Sequence, residues 1–290
     1  MRVRTDWNLA VADESAHPDS HMEWWFVQGY YQAAGSDRRE FMASFFRLAT
    51  WDARHRDGFS FLVSVLDPAS GRKEYLSQID PRIVSHFLHF APRMRKRGLS
   101  RHLVDAFVDE IRACGPPRTV RLEQEAADLS SHPFAVRWSD FSLSQTESAF
   151  RLEFAEPESR RRCSFRLEQL HSRIQLDGIR ILGAQTMEYV SYPCLGLSGT
   201  VGGVQVEGRA WMDHQWGNLG WFVALGEHVM GWDWFGVNLD DGTDVLLMTH
   251  RNMRDRRPVD SHLGPDRSGR EALAAPFRTA DAGSPRHALR

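Results

Sequence analysis

The fold class of this chain is indicated by the run Glu23-Trp24-Trp25-Phe26-Val27-Gln28-Gly29-Tyr30-Tyr31. Aromatic and β-branched residues fill it, as they fill pleated strands that bury one face. A turn at Gly35-Ser36-Asp37 separates it from a second apolar run at residues 41–48, and the pair predicts a β-hairpin. Short alternating segments recur about every ten residues over 119–181, which is typical of β-sandwiches and barrels.

The rest of the chain extends this all-β prediction of a β-barrel or sandwich. Segments 197–206 and 231–250 continue the strand pattern, with a hairpin turn at 240–242. A helical insertion is predicted near residues 85–113, where Leu103, Phe107 and Ile111 recur at helical spacing. That apolar stripe favours packing on the sheet as outer support, and a lid over a cavity is the alternative.

The 290 residues allow one or two domains. We predict an N-terminal arm over 1–20, a β-domain over 21–220 and the incomplete start of a second β-domain over 221–253. Residues 254–290 are rich in Arg, Pro, Gly, Ser and Ala, which predicts a disordered tail.

Composition restricts the partners. Lysine and arginine number 36 against 38 acidic residues, and the net charge of −2 argues against nucleic acid. The sequence contains neither an apolar run long enough for a transmembrane span nor a signal peptide. Three widely spaced cysteines fit reduced thiols, so a cytoplasmic location is expected. P-loop, C-x-x-C and G-x-G-x-x-G motifs are absent from the sequence, so no nucleotide cofactor is expected.

Ten tryptophans are unusual, and seven of them fall in residues 24–25 and 211–234. This clustering predicts a flat-walled cavity, although ordinary core aromatics fit the composition equally well. Strand alternation places His214 on a face with Trp216, and Asp213 on the face of Trp211. Asp233 falls on a face with apolar residues.

Buried ionisable groups are candidates for acid–base chemistry, because burial raises a carboxyl pKa and leaves a usable proton donor. Glu23 shares a strand face with apolar residues, yet a structural role is favoured for it. A functional role is favoured for Asp233 and His214, and the two roles are balanced for Asp213. His17 and His21 enclose Pro18-Asp19-Ser20, so no helical zinc pair is expected and no metal site is predicted.

Three motifs carry a family resemblance. They are residues 23–26 with 39–47, residues 208–217 and residues 231–242. In order and spacing they resemble the carotenoid 1,2-hydratase (hydroxyneurosporene synthase) family, also called the AttH-like family, over about residues 20–252.

The resemblance implies two consecutive lipocalin-like β-domains without a metal or organic cofactor, and addition of water to an isolated double bond of a long polyene. Related cavity proteins act as pericyclic cyclases, and some members are only ligand binders. The family continues well beyond His250, hence the incomplete second domain predicted here.

These observations predict a hydratase-type lyase that acts on an apolar polyene. Asp233 is the candidate acid, and His214, held by Asp213, is the candidate for positioning or deprotonating water. Pericyclic cyclisation and non-catalytic ligand binding are the alternatives. The substrate is expected to be an apolar small molecule, collected through peripheral membrane contact. The predicted substrate-binding residues are Glu23, Trp25, Tyr189, Trp211, Trp216, Trp232 and Trp234.

Overall fold

A curled β-sheet makes up most of this computed structural model. The structure describes residues 2–6, 14–49, 57–96, 101–114, 120–122, 127–146, 148–182, 185–218, 230–252 and 258–263. Within these ranges, fourteen strands form one sheet and three strands form a second, small sheet. The large sheet curls into a half-barrel, so the prediction of an all-β fold with a helical insertion is confirmed.

The elements are numbered in chain order. The strands of the large sheet are β1 (Arg2–Asp6), β2 (Met22–Gln32), β3 (Arg39–Ala49), β4 (Asp57–Asp67), β5 (Arg72–Ile79), β6 (Val120–Leu122), β7 (Asp128–Ser131), β8 (Phe134–Trp138), β9 (Phe141–Gln145), β10 (Ala149–Ala155), β11 (Arg162–Gln169), β12 (Arg173–Leu182), β13 (Gln185–Val201) and β14 (Val204–Gly217). The strands of the small sheet are β15 (Met230–Asn238), β16 (Asp244–Asn252) and β17 (Pro258–Leu263). Helices α1 (Pro81–Lys96) and α2 (Arg101–Cys114) lie between β5 and β6.

Neighbouring strands of the large sheet run in the order β6-β5-β4-β3-β2-β14-β13-β11-β10-β9-β8-β7. Their pairing is antiparallel except between β5 and β6. The long strand β13 pairs with β14 along one edge, while its other edge pairs first with β12 and then with β11. This arrangement places β2, β14 and β13 side by side at the middle of the sheet.

Turn chemistry fixes the register of the central strands. Gly35 has a φ of 70° in the predicted turn between β2 and β3, a backbone conformation that suits glycine. The predicted segment 197–206 is not one strand, because Gly202 and Gly203 adopt φ values of 58° and 85° and turn the chain back on itself. Two positive φ values in a two-residue loop match the right-handed twist of a hairpin.

The concave face of the large sheet holds the main core. Trp25, Phe45, Phe61 and Phe141 are buried there, and the rings of Phe61 and Phe141 lie 4.5 Å apart between their centroids. Apolar residues occupy most of the alternate inward positions of β2, β3 and β4, and Glu23 and Arg47 are the charged exceptions on β2 and β3.

The helical insertion is anchored at its start. Asp80 accepts a hydrogen bond at 2.8 Å from the backbone N–H of Arg82, and Pro81 occupies the first helical position. This is the usual chemistry of a helix N-terminus. Helix α1 packs against β4 and α2. None of the described helices is both long and apolar enough to cross a bilayer.

The small sheet covers part of the opposite face of the large sheet. Leu246 and Met248 of β16 pack there against Tyr189 and Trp211. Residues 258–263, which were predicted to belong to the polar tail, form strand β17, antiparallel to β16. The remaining tail residues, 254–257 and 264–290, lie outside the described residues.

Candidate functional site

Two clusters of polar side chains lie on opposite faces of β14. His214 points into the half-barrel, and its neighbour Asp213 points toward the small sheet, because side chains alternate along a strand. The first group, which we call the ion-pair cluster, consists of Glu14, His17, Glu23, Arg47 and His214. The second, which we call the inter-sheet cluster, consists of Tyr189, Ser191, Trp211, Asp213 and Trp234.

His214 is held between two carboxylates. Its Nδ1 lies 2.6 Å from Oε2 of Glu14, and its Nε2 lies 2.9 Å from Oε1 of Glu23. Both ring nitrogens can donate only when the ring is an imidazolium. Burial lowers the pKa of His214, but its hydrogen bonds to Glu14 and Glu23 and their negative charges outweigh that effect and raise it. The ring therefore carries a positive charge between two negative ones.

Glu23 receives hydrogen bonds from several directions. Arg47 lies directly opposite on β3, and its Nε donates to Oε2 at 3.2 Å. The backbone N–H of His17 donates to both carboxylate oxygens, at 2.9 and 3.0 Å. Burial raises the pKa of Glu23, but hydrogen bonds from His17 and His214 and the charges on His214 and Arg47 outweigh it and bring the pKa to about 2. Glu23 is thus an anion throughout the neutral range.

Two tryptophans flank the histidines of the ion-pair cluster. The indole of Trp25 stacks on the His214 ring with 4.9 Å between centroids, and Trp216 stacks on His17 at 3.9 Å. The indole N–H of Trp25 is buried and has no hydrogen-bond partner within the described residues. The stacking fixes the planes of both imidazoles.

The inter-sheet cluster is built around Asp213. Its Oδ1 accepts hydrogen bonds at 2.7 Å from the Ser191 hydroxyl and at 2.7 Å from the Trp211 indole N–H. The indole N–H of Trp234 donates to the Tyr189 hydroxyl at 2.9 Å. The rings of Trp211 and Trp234 meet edge to face at 5.5 Å and 89°.

Burial decides the protonation of this cluster. It raises the pKa of Asp213 to about 6, although hydrogen bonds from Ser191, Tyr189 and Trp211 act in the opposite direction. Burial and the nearby Asp213 charge raise the pKa of Tyr189 well above its usual value. A carboxyl with a pKa near 6 both holds and releases a proton close to neutral pH.

Asp233 lies in neither cluster. It alternates with Trp234 along β15, so its side chain leaves the opposite face of that strand. Phe235 and Val237 share this face and are 56% and 44% exposed. The structure therefore does not bring Asp233 together with His214, which lies inside the half-barrel.

The predicted site residues divide between the two clusters. Glu23, Trp25 and Trp216 lie in or against the ion-pair cluster, Tyr189, Trp211 and Trp234 lie in the inter-sheet cluster, and Trp232 is 49% exposed. Their roles as catalytic or substrate-binding residues remain predictions.

Sequence reasoning missed several partners in these clusters. Glu14 precedes the first predicted strand, and Ser191 has no distinctive sequence context. Arg47 did carry a signal, because it continues the alternate buried positions of Phe41 and Phe45 along β3. An arginine at such a position indicates a buried carboxylate partner.

The ion-pair cluster also contains a set of metal-binding atoms. His17, Glu23 and His214 each offer one ligand atom, and these atoms lie within 4.8 Å of one another. Two imidazoles and one carboxylate form a donor set that first-row transition metals accept.

A curled antiparallel sheet with a packed concave face is the architecture of a lipocalin-like protein. The chain belongs to the AttH-like family, whose model matches residues 109–275, more than half of the chain. No curated protein is significantly similar to it.

A solved structure shares the fold. It is the crystal structure of a protein from Nitrosomonas europaea that is described as an AttH, with 22% identity and a TM-score of 0.59. The similarity covers 86% of this chain and 66% of that protein, so the chain spans less than two thirds of its length.

Proposed function

We propose that the chain binds an apolar polyene and adds water across an isolated C=C bond, with Asp213 as the proton donor. The observation that carries this proposal is a buried carboxyl, its pKa raised to about 6, among tryptophan and tyrosine side chains. Membership of the AttH-like family supports a lipocalin-like ligand binder. Asp213 takes the role that the sequence analysis gave to Asp233, because Asp213 is the buried carboxyl of the two.

The reaction needs one acid and one water molecule. The carboxyl proton of Asp213 passes to the less substituted alkene carbon, and the π electron pair forms the new C–H bond. The other carbon becomes a tertiary carbocation, which a water oxygen attacks. The surplus proton of that water returns to the Asp213 carboxylate, so the net change is addition of one water molecule.

The neighbouring indole rings suit the cationic intermediate. Trp211 and Trp234 lie beside Asp213, and an indole face attracts a cation by about 2 kcal/mol once both are desolvated. His214 has no part in this proton transfer, because both of its ring nitrogens are engaged by carboxylates on the other face of β14.

The test uses the full chain and an acyclic polyene with a terminal isopropylidene group in deuterated water, followed by mass spectrometry. The expected product carries one carbon-bound deuterium and one added oxygen. Asp213→Asn is expected to slow its formation by about 10²- to 10⁴-fold, the usual contribution of a positioned general acid. Asp128→Asn, on an exposed strand position, is the matched control and retains the wild-type rate.

Other products would change the proposal. Undiminished hydration by Asp213→Asn, or a product without carbon-bound deuterium, excludes Asp213 as the acid. A product isomeric with the substrate indicates the pericyclic cyclase, and recovery of unchanged polyene bound to the chain indicates a carrier.

A further inference from the structure

We propose that His17, Glu23 and His214 form a binding site for one divalent transition-metal cation of the Zn²⁺ class. The inference is independent of the proposed hydration, because this site lies on the other face of β14 from Asp213. Oε1 of Glu23 lies 2.9 Å from Nδ1 of His17 and 2.9 Å from Nε2 of His214.

The spacing of these three atoms suits one ion. Zinc–nitrogen and zinc–oxygen bonds of about 2.0–2.1 Å place tetrahedral ligands about 3.3 Å apart. The two separations from Glu23 Oε1 are 2.9 Å, and the two imidazole nitrogens lie within 4.8 Å of each other. To hold a tetrahedral ion, the rings need to move away from Glu23 by a few tenths of an ångström and toward each other by up to about 1.5 Å. Three protein ligands also leave one position of a tetrahedral ion open to water or a small ligand.

The surrounding residues orient the ligands as partners of metal sites do. Glu14 accepts a hydrogen bond from Nδ1 of His214 at 2.6 Å, which directs Nε2 of that ring toward Glu23. Carboxylate–histidine–metal arrangements of this kind fix the tautomer and strengthen the ligand. Arg47 donates to the other carboxylate oxygen of Glu23, Oε2, while Oε1 lies next to the two imidazole nitrogens.

The charge balance also favours a cation. Glu14 and Glu23 face His214 from both sides, so a divalent ion at this site would lie close to two carboxylates. The side chain of His17 is 33% exposed, which gives the ion a route from solvent to the otherwise buried Glu23 and His214.

Cobalt(II) is the probe, because its visible absorption reports ligand number and geometry. The metal-depleted full chain is titrated with Co²⁺, and Zn²⁺ is then added in competition. We expect one Co²⁺ per chain with absorption bands of four- or five-coordinate cobalt, and displacement by an equivalent of Zn²⁺.

His17→Gln is the decisive variant, because this residue is part-exposed and its loss leaves the carboxylates around His214 in place. We expect its Co²⁺ affinity to fall at least 100-fold with an unchanged circular dichroism spectrum. Glu14→Gln, which removes only the orienting carboxylate, is expected to weaken binding by about 10- to 100-fold. The matched control is His21→Gln, on the same segment and exposed, which is expected to bind Co²⁺ like the wild type.

Two results would overturn the proposal. One is a folded wild-type chain that takes up no Co²⁺ or Zn²⁺ in a saturable manner, which would make the cluster a purely hydrogen-bonded one. The other is equal affinity in His17→Gln and the wild type, which would assign the binding to other residues.

Discussion

Glu23 is the residue on which the ion-pair cluster depends. It is fully buried and is hydrogen-bonded to His17, Arg47 and His214. A buried ion pair gains little net stability over apolar residues of the same shape, but removal of one partner leaves an unpaired charge in a low-dielectric interior. Removal of a single member of the network is therefore expected to cost more stability than replacement of the whole network by apolar residues.

Glu23→Gln is expected to lower the free energy of unfolding by about 3–5 kcal/mol, because Arg47 and His214 then lose a buried counter-charge. Urea unfolding at pH 7 measures this change. Glu207→Gln, an exposed position on β14, is the control and should change stability by less than about 0.5 kcal/mol. Equal stabilities of the two variants would contradict a buried anionic Glu23.

The raised pKa of Asp213 predicts that the stability of the folded chain falls as pH rises. Its pKa is raised from 3.8 to about 6, so the folded chain holds this proton more tightly than the unfolded chain does. The contribution of Asp213 to stability is complete below pH 4 and is lost as pH rises through about 6, by about 3 kcal/mol in all.

Asp213→Asn is expected to remove this dependence, because an amide oxygen still accepts from Ser191 and Trp211 but does not ionise. Unfolding free energies of wild type and variant between pH 4 and pH 7.5 measure the effect. The advantage of the variant should grow with pH over this window. A constant difference would show that Asp213 titrates at its ordinary pKa.

At the level of elements, close packing of the small sheet depends on Gly236. A Cβ atom at this position would lie 2.7 Å from the Trp234 ring and 3.0 Å from the Trp211 ring. Neither indole can move freely, because each donates a hydrogen bond to a buried partner. The absent side chain lets β15 lie against the large sheet.

Gly236→Ala is expected to destabilise the packing of the two sheets by about 1–3 kcal/mol through steric overlap. Hydrogen exchange should become faster in β15 and β16 while β2 and β3 keep their protection. Val237→Ala, which truncates an exposed side chain on the same strand, is the control and should leave exchange unchanged. Uniform loss of protection in both sheets would contradict a local effect.

Strand alternation predicts the elements of this fold well. The runs 23–31 and 41–48 form β2 and β3 because one face of each is mainly apolar and the other is mixed. Alternation also placed Asp233 correctly beside Phe235 and Val237, but it could not tell that this face is exposed. Both faces of β15 carry apolar residues, so the pattern does not identify the covered one.

For the whole molecule, long-range contacts limit what a sequence reveals. Glu14 and His214 are 200 positions apart, and Glu14 lies outside any strand, so no local pattern links them. The proximity of Tyr189 to Trp234 likewise depends on how the two sheets pack. Residue types and faces were predictable, whereas the division of the candidate residues into two clusters required the sheet order.

The tight loop at Gly202–Gly203 sets the register of β14, and with it the faces on which both polar clusters lie. Asp213 and His214 are consecutive, and the loop lies about 30 Å away along the strand at about 3.4 Å per residue. A single residue inserted there, if carried along β14, would exchange the sides to which these two groups point. Insertions or deletions at this distant bend are therefore as damaging to both clusters as replacement of their own side chains.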